Sequence, residues 1–193
     1  MSSKWTELNT ASDLVAEYAP LIKGKTILTT GVTPGSIGAA FVEALAAASP
    51  ALLILAGRSA ANLEKEAANI AKAAADASAE VKTRNVVVDL LSLGSVRKAA
   101  AEVNSWEDVP HIDVVVNCAG IMGTPYKLTE DGFESQFAAN HLSHFLLTNL
   151  LMDKILASPA PRVVNVSSNG HRCQAIRFED INFDVSNFLA SKT

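Results

Sequence analysis

Several kinds of residue are scarce in this chain, and each scarcity removes a class of function. There are only two cysteines, Cys118 and Cys173, and neither stands at metal-ligand spacing. A disulfide scaffold and a zinc cluster therefore have no footing, no metal is expected, and both thiols should be reduced. Charged residues make up 19% of the sequence, below the roughly 25% of an ordinary soluble domain. The net charge of −4 and the lack of a basic cluster argue against nucleic acid as a partner. No apolar run approaches the roughly 18 residues that a membrane span requires. The opening MSSKWTELNT has no apolar core of a secretory signal, so a cytoplasmic location is expected. Tyrosine is scarce too: Tyr18 and Tyr126 are the only two, and no phenol follows position 126.

Small apolar side chains are what the sequence has in abundance. Apolar residues reach 49%, and the many alanines suit helices packed closely on a sheet. The length of 193 residues fits one domain or most of one. Residues 11–22 read as a short amphipathic helix within an N-terminal extension, 1–24, that precedes a main domain over 25–193. Lys25–Thr30 is a β-branched run ending in glycine, the pattern of a buried strand. Ser36 can cap a helix in which Ile37, Phe41 and Leu45 share a face. Ala51–Ala56 is a second strand, followed by a helix from about Ser59 to Ala77 with Leu63, Ala67, Ile70 and Ala74 in one stripe. Val86–Val88, Ile112–Val116 and Arg162–Val166 read as further strands. Between them lie a helix over Ser92–Val103 and a long helical pattern from Glu130 to Ala157, through Phe133, Phe137, Phe145, Leu146 and Leu150. Apolar strands alternating with helices imply a parallel sheet covered on both faces. Right-handed connections make a doubly wound α/β (Rossmann) fold the economical solution.

The loop Thr30-Gly31-Val32-Thr33-Pro34-Gly35-Ser36-Ile37-Gly38 lies between the first strand and the helix it feeds. Glycines at that place let the backbone approach a pyrophosphate at a helix N-terminus. The spacing is not the G-x-G-x-x-G of the general dinucleotide fingerprint. It resembles the T-G-x-x-x-G-x-G of short-chain dehydrogenases/reductases, with one extra residue before the last glycine. Four more segments resemble the same family, in the family's order. They are Asp89-Leu90 after the third strand, Asn117-Cys118-Ala119-Gly120 after the fourth, Asn140-His141-Leu142-Ser143-His144-Phe145 in the long helix, and Asn165-Val166-Ser167-Ser168 at the fifth strand. A histidine at 171, three residues past Ser168, is similar to the retinol-dehydrogenase-like branch, which includes many fungal oxidoreductases of secondary metabolism. The resemblance runs from about Lys25 to Lys192.

That resemblance implies hydride transfer between a nicotinamide and a carbonyl or alcohol carbon of a small organic substrate. The cofactor would be held by Gly31, Thr33, Gly35, Ser36, Ile37, Gly38, Asp89, Asn117, Ala119, Gly120 and Lys192. At the end of the second strand the sequence reads Ala56-Gly57-Arg58-Ser59, with no acid before Glu64. A cation there suits the 2′-phosphate of NADP, where an acid would suit the ribose hydroxyls of NAD. Ser168, or less favourably Ser167, matches the catalytic serine, Asn140 the catalytic asparagine, and Lys192 the lysine.

The catalytic tyrosine has no counterpart. Its place in the family's Y-x-x-x-K pattern falls to Phe188, in Phe188-Leu189-Ala190-Ser191-Lys192. His171 is the obvious surrogate proton carrier, although the related branch carries a histidine there beside an intact tyrosine. The resemblance also implies two further strands and a substrate loop beyond Thr193, so the domain is expected to be truncated, its sheet incomplete at the C-terminal edge. The fifth strand would then be an edge that is apolar on both sides. Three readings stay open: an NADP-dependent oxidoreductase, strongly impaired as written; a non-catalytic dinucleotide-binding protein, acting as a sensor or as an inactive subunit paired with a complete relative; and a degenerate product with no function of its own. Assembly as a homo-oligomer stays open beside them.

Overall fold

The computed structural model describes residues 5, 6 and 8–184. Five strands form one parallel sheet in the order β3-β2-β1-β4-β5: β1 Thr26–Thr30, β2 Leu52–Gly57, β3 Lys82–Val87, β4 Val114–Asn117 and β5 Arg162–Asn165. The strand order reverses between β1 and β4, where the chain crosses from one side of β1 to the other. This is the doubly wound arrangement expected from the alternation of apolar strands and helices.

Side chains alternate through the sheet and build two cores. Ile27, Leu53, Leu55 and Val116 face α1 (Ala11–Ile22), α2 (Ile37–Ala46) and α3 (Ala60–Asp76). Leu28, Ile54, Val86 and Val115 face α4 (Leu93–Asn104), α6 (Ser143–Leu150) and α7 (Met152–Leu156). Each long helix begins on a side-chain cap that takes an otherwise orphaned amide. Thr10 caps α1, with Asp13 completing a capping box, while Ser36, Ser59 and Ser92 cap α2, α3 and α4. The extension helix α1 docks on α2 through the buried Val15.

Four expectations need correction. β3 starts at Lys82, four residues before the predicted Val86, because its first half is a polar, partly exposed run that an apolar criterion passes over. In α2 the buried face is Gly38, Ala39, Val42, Leu45 and Ala46, whereas Ile37 is 78% and Phe41 36% exposed. The segment 130–157 is not one helix. Glu134 caps a short α5 (Ser135–Phe137), a π-helical turn follows at Ala138–Leu142, and Leu151 separates α6 from α7. Its buried face carries Ala138, Ala139, Leu147, Leu151 and Ile155, while of the predicted face Phe145 is 63% exposed and Phe133, Phe137, Leu146 and Leu150 are half-buried. The extra residue of the π-turn resets the helical phase, which a period-3.6 reading cannot foresee.

At the sheet's far side β5 pairs with β4 alone among the described residues. Val163, Val164 and Val166 are 40%, 45% and 50% exposed, the doubly apolar edge anticipated from the sequence. No helix of the described residues is long and apolar enough to cross a membrane.

Candidate functional site

The C-terminal ends of β1, β2, β3 and β4 open into one cleft of about 440 Å³. It lies at the reversal of strand order, where ligands of such sheets bind. Its floor is the turn after β1. Gly31 takes φ +78°, a left-handed conformation that a side chain resists, and its amide bonds the Ala56 carbonyl of β2 at 2.9 Å. A Cβ on Gly31 would lie 2.6 Å from the Ala119 Cα, and one on Gly38 would lie 2.6 Å from the Gly31 carbonyl oxygen. The first turn of α2, the β1 turn and the loop after β4 therefore meet backbone to backbone. Ser36 locks the arrangement: its hydroxyl donates to the Gly31 carbonyl at 2.8 Å and accepts from the Ala39 amide at 3.1 Å.

Of the residues singled out for the cofactor, Gly31, Thr33, Ser36, Ile37, Gly38, Arg58, Asp89, Ala119 and Gly120 all line this cleft. Arg58 is exposed at its rim and makes no hydrogen bond or ion pair with any described residue. Asp89 accepts from the Leu91 amide at 3.0 Å, while its own amide donates to Ser95 Oγ at 2.9 Å. Two residues are not brought to the wall. Gly35 sits on the outer crest of the turn at φ +80° with open space where a side chain would stand. Asn117 is buried behind the cleft, where its Nδ2 donates to Asn165 Oδ1 of β5 at 2.8 Å and to Thr148 Oγ1 of α6 at 3.1 Å. Its amide thus ties strand to strand and helix. Ser59 and Leu90, quoted within the motif segments but given no role, also line the cleft, as do Asn62, Leu91 and Ile121, which no pattern marked.

Asn140 lies in the π-helical turn. Its side chain clamps the backbone of one residue in the loop after β4, Oδ1 accepting from the Ile121 amide and Nδ2 donating to the Ile121 carbonyl, both at 2.8 Å. On its other side it lines a second cavity of about 520 Å³, with Tyr126, Phe137, His141 and Phe183 among its neighbours. Ser168 is exposed and lines neither cavity; it caps a 3₁₀ turn over Asn169–Arg172, its Oγ accepting from the Gly170 amide at 3.1 Å. The His171 ring bonds the Ser168 carbonyl through Nδ1, a contact local to the 3₁₀ turn. Phe188 and Lys192 lie outside the described residues.

Comparison with known proteins decides the lineage of this cleft. The family model for the short chain dehydrogenases matches residues 25–178. The chain belongs to that family. It is similar to human retinol dehydrogenase 13, with 41% identity over 170 residues, which cover 86% of this chain and 48% of that protein. Oxidoreductase fscI of Fusarium equiseti is 37% identical over 184 residues, covering 93% of the chain and 69% of the fungal protein. The chain therefore spans about half the length of the retinol dehydrogenase it matches. Among solved structures, an uncharacterized protein of Mycobacterium paratuberculosis superimposes with a TM-score of 0.66 at 37% identity, over 84% of this chain and 53% of that one. A short chain dehydrogenase of Pseudomonas syringae gives 0.64 at 27%, over 89% and 67%.

Proposed function

We propose that the cleft of this short-chain dehydrogenase holds NADP(H), within a dinucleotide-binding domain that begins at residue 25. The fit is favourable: contacts that exclude a Cβ at Gly31 and Gly38 keep the α2 N-terminus bare, so its amides can face a pyrophosphate. The observation that carries the choice of cofactor is Arg58, a cation on the cleft rim without a partner among the described residues, at the strand end where an NAD-binding site offers an acid. A guanidinium pairs well with a phosphate. Asp89 and the loop Ala119–Gly120 would flank the adenine and ribose side. When bound, the nicotinamide supplies or accepts a hydride. Ser168 would polarise the substrate oxygen, Lys192 would hold the ribose, and Asn140 would support a water relay from its fixed position on Ile121. The substrate class is a small carbonyl compound or alcohol.

Phe188 favours a second reading. A phenylalanine has no proton to exchange, and loss of positioned acid–base help costs about 10²–10⁴ in rate. The chain then binds its cofactor with little or no turnover, as a dinucleotide-binding subunit or sensor. Both readings share the cofactor preference, which fluorescence titration measures directly. NADPH should bind at least about tenfold more tightly than NADH, a difference of about 1.4 kcal/mol, and Arg58→Glu should abolish or reverse that preference. Equal affinity of the parent chain for both cofactors would make Arg58 a bystander.

A further inference from the structure

The clamp on the loop after β4 has a second half, centred on a histidine that no motif assigned. Thr30, the last residue of β1, holds the loop from the sheet side: the amides of Cys118 and Ala119 both donate to its Oγ1, each at 3.0 Å. A hydroxyl has two acceptor lone pairs and one proton, so both lone pairs are taken and the proton must go elsewhere. Its remaining neighbour is His144 Nε2, at 2.9 Å. Nε2 is therefore the acceptor, and the ring's single proton sits on Nδ1, which lies 3.3 Å from the Asn140 carbonyl oxygen. Every proton in the chain Cys118/Ala119–Thr30–His144–Asn140 is thereby fixed.

We propose that His144 is the positioning residue of this site: as the Nδ1–H tautomer it couples the end of β1, through Thr30, to the backbone of Asn140, so that the two clamps on loop 118–121 hold together. This rests on the cofactor reading above, because Cys118, Ala119, Gly120 and Ile121 are cleft wall. Protonating His144 would break the coupling. An imidazolium places a second N–H, on Nε2, against a hydroxyl whose lone pairs are already filled, and the hydroxyl proton loses its acceptor. Either His144 withdraws or Thr30 releases an amide, and in both cases the wall shifts.

The surroundings favour the neutral ring. His144 is 4% exposed; burial lowers its pKa, with a smaller lowering from His141, against a raising effect of the Asn140 carbonyl. The packed elements bring no carboxylate into contact with it. The β3–α4 loop carries Asp89, whose carboxylate is engaged by the Leu91 amide, and the loop after β4 carries the Cys118 thiol. The charged residues of α4, Arg97, Lys98 and Glu102, are on its exposed side.

The test uses the full chain with ¹⁵N-labelled histidine. Long-range proton–nitrogen spectra report the tautomer, and NADPH affinity is followed from about pH 8 down to about pH 5, the range in which histidine charge changes matter. His144 should appear as Nδ1–H. Below its pKa the parent chain should lose affinity by about tenfold per pH unit. His144→Gln, whose side-chain oxygen can still accept from Thr30 and cannot titrate, should lose that acid limb and bind better than His144→Phe. The limb is scored as the difference between parent and H144Q, which cancels the titration of the cofactor's own 2′-phosphate. An Nε2–H tautomer, or an identical acid limb in H144Q, would overturn the proposal. Failure of every variant to bind NADPH near pH 8 would instead remove the cofactor reading, while the tautomer spectrum still decides the role of His144.

Discussion

Glu66 shows how one side chain can set the chain's response to pH. It is fully buried on α3 where that helix packs on α2; one carboxylate oxygen has no hydrogen-bond partner among the described residues, and the other accepts from Asn69 Nδ2 at 3.4 Å. Burial, and then the neighbouring Glu43 carboxylate, push its pKa up from 4.5 to about 7. The folded state therefore binds more protons than the unfolded state between those values. Stability falls as pH rises through that window, and the loss is complete above about 7. Glu66→Gln, an uncharged mimic of the protonated acid, should be more stable than the parent at pH 8, with the difference vanishing near pH 4.5. Urea unfolding at both pH values checks this, and a parent chain whose stability does not fall between them would contradict it. The motif residues were legible one by one because their constraints are local: Gly31 needs its left-handed φ and Ser36 caps the helix it precedes. Glu66 was not legible, since its burial and its neighbour Glu43 both come from the packing of α3 on α2.

Among elements, the strands were the most readable, because burial on both faces leaves continuous apolar runs. The apolar criterion passes over the first half of β3, where Lys82 is exposed and the polar Thr83, Arg84 and Asn85 are half-buried at the sheet's edge. The segment after β4 was misread for a different reason. Its apolar residues keep helical spacing, yet around the π-turn at Ala138–Leu142 the fully buried positions go to alanine, Ser143, His144 and Leu147, leaving Phe133 and Phe137 half-buried and Phe145 exposed. The same turn puts Asn140 against Ile121, so the irregularity that defeated periodicity is part of the candidate site. β5 carries the element-scale prediction. Unpaired, apolar strand edges template association, so a polypeptide of residues 1–193, in which β5 pairs with β4 alone among the described residues, should self-associate in a concentration-dependent way. Val164→Lys should suppress the association in light scattering with a stability change within about 0.5 kcal/mol. Unchanged association in that variant would place the contact elsewhere.

Over the whole molecule, the cleft is a product of topology. Gly31, Arg58, Asp89 and Ala119 are far apart in sequence and share one wall because parallel strands all end on the same side of the sheet. The alternation of strands and helices places these loops at one end of the sheet, and the resemblance of the loops to short-chain dehydrogenase motifs names the residues on them. The sequence could not separate residues that face the cleft from those that brace it. Asn117 and Thr30 belong to the same motifs as Gly31 and Ala119, but their side chains are consumed in tying β1, β4 and β5 to the helices. Serine and asparagine types alone do not say which way a side chain turns at a strand end.

The most direct test of the cleft as a dinucleotide site is a map of backbone amide shifts in the ¹⁵N-labelled chain as NADPH is added. Shifts should concentrate at residues 31–38, at Arg58 and Asp89, and at residues 118–121, and should spare the opposite end of the sheet, where Asp113 bonds Lys25 and the Thr26 amide. Perturbations centred at that opposite end, or none anywhere at saturating NADPH, would contradict the assignment.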